Sequence, residues 1–170
     1  MSQTLERSLV LLKPDAIDRG LIGEIVTRFE RTGLKIAGLK LVWSDKDTAL
    51  NHYTQDLADR RGQHVRDLMV DMITSGPIVA IVIEGVEAVE VVRKMVGETE
   101  PKSAAPGTIR GDYAHLSFKY ADANEVGVFN LIHASANVEE AATEINTWFQ
   151  DFELQDYKPG HTKYTIVEKE

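Results

Sequence analysis

In the stretch NLIHASANVEEAATEI, residues 130–145, a histidine closes an apolar run just before a helix cap. His133 is a candidate for covalent chemistry, because a neutral imidazole, with an ordinary pKa of about 6.5, is a nucleophile near neutral pH. One ring nitrogen would attack phosphorus while a carboxylate holds the other and fixes the tautomer. Glu144 is a candidate holder, at the margin of the apolar face of the next helix, although an edge glutamate is by the usual burial ranking a surface residue. Groups suited to phosphate are scattered along the chain: Lys13 after the first apolar run, Arg93 at a helix end, and Thr99 and Arg110 in a long glycine-containing loop. A transferring phosphoryl group spreads negative charge over its oxygens, so cations arranged in advance lower its barrier. The competing reading is a core histidine among solvated surface cations, and spacing alone does not separate the two.

Other chemistries are excluded more firmly. No G-x-x-x-x-G-K-[ST] is present, no G-x-G-x-x-G follows a strand, and no histidine pair at i, i+4 offers a zinc site. With 0 cysteines there are no disulfides or thiolate ligands. The 27 acidic against 19 basic side chains give a net charge of -8, which opposes sequence-independent binding to nucleic acid or an anionic membrane. The apolar run Leu9 to Leu12 is too short for a membrane span or a signal-peptide core, so a soluble, cytoplasmic protein is expected. The length of 170 residues fits one domain, residues 1–170, with a core over about 8–154 and a polar tail over 155–170.

Periodicity supplies the elements that must position these groups. Ser8 to Leu12 reads as a buried strand stopped at Pro14, and Leu21 to Phe29 as a helix closed by Gly33. Leu34 and Ile36 alternate, then Leu39, Leu41 and Trp43 alternate on the opposite parity, so a bulge near Ala37-Gly38 would keep one face inward. A capping box at Ser44 and Asp47 would open a helix through Leu57, and Val65 to Ile73 a further one. Ile78 to Ile83 is an apolar strand, and Val89 to Val96 a helix ending at Gly97. From Gly97 to about Asn124 periodicity fades into a long loop, often a functional feature. Val128 to Ile132 reads as the fourth strand, and Asn137 with Glu140 as the cap of the last helix. The order βαββαβ predicts an α+β, ferredoxin-like fold, a four-stranded antiparallel sheet covered by helices.

The blocks SLVLLKPDAIDRGLIGEI, HY at 52–53, SGPIVAIVIEG, VGETEP, APGTIRGDY, NLIHAS and EINTWF, in this order over residues 8 to about 154, resemble the nucleoside diphosphate kinase family. The resemblance implies reversible ping-pong transfer of the terminal phosphoryl group of a nucleoside triphosphate such as ATP to a nucleoside diphosphate, through a pros-phosphohistidine at His133. It implies that Ser135 and Glu144 support the histidine, and that Lys13, Tyr53, Arg93, Thr99, Arg110 and Asn130 bind the nucleotide. The position of the family's base-stacking aromatic falls at Val65. Mg²⁺ would be held mainly by the nucleotide phosphates, without a protein metal site. A homo-oligomer, a hexamer first, is implied, and nothing in the sequence points to nucleic-acid binding. Two departures stand out: the family's H-G-S followed by an acid is here His133-Ala134-Ser135-Ala136, and HLSFKYADAN, 115–124, is an added segment with no inferred role. Ala134 and Ala136 leave open an alternative, a nucleotide-binding regulatory or scaffold protein with weakened transfer.

Overall fold

The computed structural model describes residues 5–166. Strands β1 (Leu5–Leu12), β2 (Lys35–Trp43), β3 (Pro77–Val86) and β4 (Ile132–Ala134) form one antiparallel sheet in the order β2-β3-β1-β4. Its ferredoxin-like plan matches the expected class. Successive side chains of a strand point to opposite faces, so Leu9 and Leu11 of β1 enter one core while Val10 and Leu12 enter the other. Both central strands are covered on both faces, which explains their continuous apolar runs. On one face lie α2 (Ile22–Arg31), through Ile25 and Phe29, and α6 (Ala88–Val96), through Val92 and Val96. The other face is covered by α3 (Lys46–His52), α5 (Gln63–Thr74) and α9 (Val138–Trp148), through Ala49, Ile73, Ile145 and Trp148. Each fully buried Leu, Ile or Phe contributes roughly 1.5–3 kcal/mol.

Several boundaries differ from the periodicity reading. Pro14 does not merely stop β1: it occupies the first turn of a short helix, α1 (Pro14–Asp18), where its missing N–H costs nothing. The cap of α3 is Asp45, whose carboxylate accepts from Thr48 N–H at 2.7 Å, instead of Ser44, and the chain breaks at Tyr53 before α4 (Gln55–Arg61). The long loop contains α7 (Ile109–Tyr113) and, from the added segment, α8 (Phe118–Ala123). The expected strand over Val128 to Ile132 is irregular until Ile132, because Leu131 has φ +70° and cannot continue a ladder.

The β2 bulge lies between Ile36 and Gly38, as the change of parity required. It puts Leu39 and Leu41 opposite Ile81 and Val79, on the same face as Ile36. That face is not inward at this sheet edge: Leu41 is 64% and Trp43 65% exposed. The polar tail returns to the bulge, where Gln155 N–H donates to Ala37 O at 2.7 Å and Tyr157 OH to Ile36 O at 3.2 Å. Among the described residues no helix is long and apolar enough to cross a membrane.

Candidate active site

His133 sits inside β4, opposite Leu11 of β1, so its side chain points to the sheet face that carries α3 and α9. The turn that delivers it is held from both sides. Leu131 N–H donates to Asp15 Oδ2 at 3.0 Å, and Leu131 O accepts from Lys13 N–H at 2.8 Å. A buried non-glycine residue at positive φ costs on the order of 1–3 kcal/mol, and these two bonds from the start of α1 over-determine it. Asn130 just before it is buried, accepting from Lys13 Nζ at 2.8 Å and donating to Thr99 O at 2.9 Å.

A polar relay runs from β1 to the imidazole. Leu9 N–H donates to Ser135 Oγ at 3.1 Å, and Ser135 donates to Glu144 Oε2 at 2.6 Å. Glu144 Oε1 lies 2.7 Å from His133 Nε2, a close contact not aligned as a linear hydrogen bond. Glu144 is 6% exposed, not the surface residue that the burial ranking expected. It is buried because α9 packs its Ala141–Ile145–Trp148 stripe on β1, turning the margin of that stripe against β4. Burial raises the Glu144 carboxyl pKa, opposed by His52, Ser135 and Glu140. His133 is pushed down to about 3 by burial and then by Lys13, Arg110 and Arg93, so its ring is neutral near pH 7. With Nε2 buried against Glu144, Nδ1 is the nitrogen left to the cleft.

A second imidazole, His52 at the end of α3, stands edge-on to His133 with ring centroids 4.4 Å apart. Its Nδ1 accepts from Trp148 Nε1–H at 3.3 Å, and since an indole N–H only donates, the His52 proton is on Nε2. Burial, then His133, lowers its pKa to about 3, so its 3.5 Å approach to Glu144 is not an ion pair at neutral pH.

These groups line one cleft of about 1200 Å³, together with Lys13, Tyr53, Val65, Arg93, Thr99 and Arg110. Lys13 is 2% exposed, and burial followed by the nearby Arg110 charge lowers it to about 7. Arg110 is buried and donates to three carbonyls: Nε to Asn130 O at 3.2 Å, Nη1 to Gly97 O at 3.0 Å and Nη2 to Ile132 O at 2.5 Å. Burial lowers the Tyr53 ring's acidity, and its hydroxyl has no protein partner among the described residues. Arg93 and Thr99 are exposed at the rim. The loop between them turns at Gly97, with φ +86° and packed against Thr108; further along the chain, Gly111 lies where a Cβ would strike the Ala105 carbonyl. Every sequence-predicted residue therefore reaches this cleft or, like Ser135, braces it. Asp15 and His52 were missed as candidates, although Lys-Pro-Asp and His-Tyr both stand in the quoted blocks.

Neither alanine disturbs this geometry. Ala134 pairs with Val10 in the sheet and has no positive φ, so it does not need glycine. Ala136 lines the cleft without an acid, but Glu140 on α9 directs its carboxylate to the Ala136 N–H and also faces Glu144. Among the described residues the group able to hold a metal is His52, His133 and Glu144. Two imidazoles and one carboxylate suit a transition metal, not the all-oxygen shell of Mg²⁺.

The nucleoside diphosphate kinase family model matches residues 6–154. A nucleoside diphosphate kinase of Pyrococcus horikoshii is 49% identical over 157 residues, 92% of each chain. A solved transition state mimic of the Borrelia burgdorferi enzyme with bound vanadate and ADP superposes with a TM-score of 0.94 at 44% identity, covering 96% of this chain and 98% of that one. The halophilic enzyme of Halobacterium salinarum in complex with CDP gives a TM-score of 0.81 at 40% identity, covering 95% and 98%. With a supported histidine, a cation-lined cleft and near full-length likeness in both sequence and structure, the chain belongs to the nucleoside diphosphate kinase family.

Proposed function

We propose that this protein is a nucleoside diphosphate kinase that carries the phosphoryl group on Nδ1 of His133. The observation that carries the proposal is the buried contact of His133 Nε2 with Glu144 Oε1 at 2.7 Å, which leaves Nδ1 to the cleft. The Nδ1 lone pair attacks the terminal phosphorus of a nucleoside triphosphate, an N–P bond forms, the bridging P–O bond breaks and the diphosphate leaves with its electron pair. A second nucleoside diphosphate reverses the step through its terminal oxygen. The Nε2 proton stays in place, with Glu144 compensating the positive charge that develops on the ring and Ser135 fixing the carboxylate.

Lys13, Arg93 and Arg110 neutralise phosphate oxygens, Thr99 and the Tyr53 hydroxyl donate to them, and Asn130 meets the sugar hydroxyls. Val65 contacts the base. Mg²⁺ would be held mainly by the nucleotide and by water, and would add to Lys13, Arg93 and Arg110 in neutralising phosphate charge. The whole chain acts as one domain in the cytoplasm. It assembles from copies, a hexamer first; the apolar edge strand with Leu39, Leu41 and Trp43 exposed supports self-association, and light scattering tests its size.

The test of transfer is incubation with γ-labelled ATP and Mg²⁺. An acid-labile, base-stable phosphoenzyme, discharged by a nucleoside diphosphate and absent from His133→Ala, is expected. No label, or label that survives the substitution, removes the transferase reading and leaves the regulatory or scaffold alternative.

A further inference from the structure

The added segment enters the cleft. Phe118, the first residue of α8, lines it together with Thr99 and His133, yet belongs to neither hydrophobic core and is only half-buried. The position of Phe118 is built, not incidental. Its N–H donates to Glu100 Oε1 at 2.9 Å, so α8 is tied to the residue next to Thr99. The same loop is tied again where Lys102 N–H donates to Leu116 O at 3.1 Å.

Charge and burial order the cleft. Lys13, Arg110, Asn130, Tyr53 and His52 are buried at its floor around the nucleophile. A nucleotide with its phosphates against those cations must direct its base outward. Phe118 is the single phenylalanine among the lining residues described, and the tyrosine, Tyr53, lies in the floor. Also lining the cleft are the partly buried aliphatic side chains Leu57 and Val65.

We infer that Phe118 is the aromatic face on which the base of the bound nucleotide stacks, so that the added segment supplies the π-surface that Val65 cannot. This rests on the nucleotide reading above. Stacking accepts every base but is stronger for the larger purine ring, so the contact binds broadly with a purine bias.

The test is Phe118→Ala, with Phe118→Tyr as the conservative variant. KM and kcat are measured with ADP, GDP, UDP and CDP as phosphoryl acceptors, and with ribose 5-diphosphate, which has no base. Phe118→Ala should raise KM for the purine diphosphates by roughly 5- to 150-fold, the range for losing one base–aromatic stack. The rise should be smaller for the pyrimidines and absent for ribose 5-diphosphate, kcat at saturation should hold, and Phe118→Tyr should restore KM. An unchanged purine KM, or an equal loss with ribose 5-diphosphate, overturns the inference; the second result would mean that Phe118 merely braces the Thr99 loop. If the unaltered protein forms no phosphoenzyme, the transfer reading falls by itself. Calorimetric titration of ADP against ribose 5-diphosphate on the unaltered protein and Phe118→Ala then decides the base seat.

Discussion

Replacing Arg110 by alanine should damage stability and transfer together, because its guanidinium is a strut of the nucleophile's strand as well as a cation. Three carbonyls lose a charged donor. Asn130 O keeps a second partner in Ile132 N–H at 2.8 Å, and Gly97 is only half-buried, within reach of water. The main loss is at Ile132 O, in a fully buried residue. One unsatisfied buried carbonyl plus two weakened bonds amounts to about 3 kcal/mol. For a chain of this size each kcal/mol moves Tm by about 2–4 °C, so a fall of roughly 6–12 °C is expected by calorimetry. Single-turnover phosphoenzyme formation should slow by about a hundredfold or more, the scale of losing one prearranged donor, since Ile132 directly precedes His133. Arg110→Lys keeps the charge but not the planar fork, and should recover part of the phosphate affinity while Tm stays low. An Arg110→Ala protein with unchanged Tm and rate would refute both roles.

Glu144→Gln preserves volume but removes the charge that balances the imidazole, and phosphoenzyme formation should slow by roughly ten- to a hundredfold at unchanged ADP affinity. Because burial lowers His133 to about 3, its ring stays neutral in acid, and phosphorylation at saturating nucleotide should be flat from pH 8 down to about pH 5, where an ordinary histidine would be mostly protonated. Lys13, lowered to about 7, is cationic below that pH and neutral above it, so the free protein's affinity for nucleotide phosphates should fall as pH rises through 7. Bound phosphate favours the cation, so ADP binding at pH 8 should take up a proton, seen by calorimetry in two buffers; Lys13→Arg, always charged, should show no uptake. Gly111→Ala drives a Cβ into the Ala105 carbonyl and the Thr108 hydroxyl, and should lower stability by about 3 kcal/mol in a denaturant titration.

Much of this protein follows from sequence. The apolar runs of β1 and β3, the helical spacing of α2, α6 and α9, the Asn137 cap and the parity change at Ala37-Gly38 all depend on neighbours within a turn or a few residues, so the fold and the chemically able groups were legible. The family motifs quoted above add the nucleophile and its nucleotide ligands as expectations. What remained hidden depends on contacts between distant segments. Ser135 meets Leu9 across 126 positions, and Lys13 meets Asn130 across 117. Only that packing buries Glu144, aims its carboxylate at Nε2 instead of Nδ1, lowers Lys13 toward neutrality and commits Arg110 to three carbonyls. It also brings Phe118, from a segment without a legible pattern, into the cleft of His133. Local spacing sets which groups a chain has and which element carries each; burial, tautomer and charge state are set by what the other elements place around them, because they depend on the surrounding dielectric and the nearest charges.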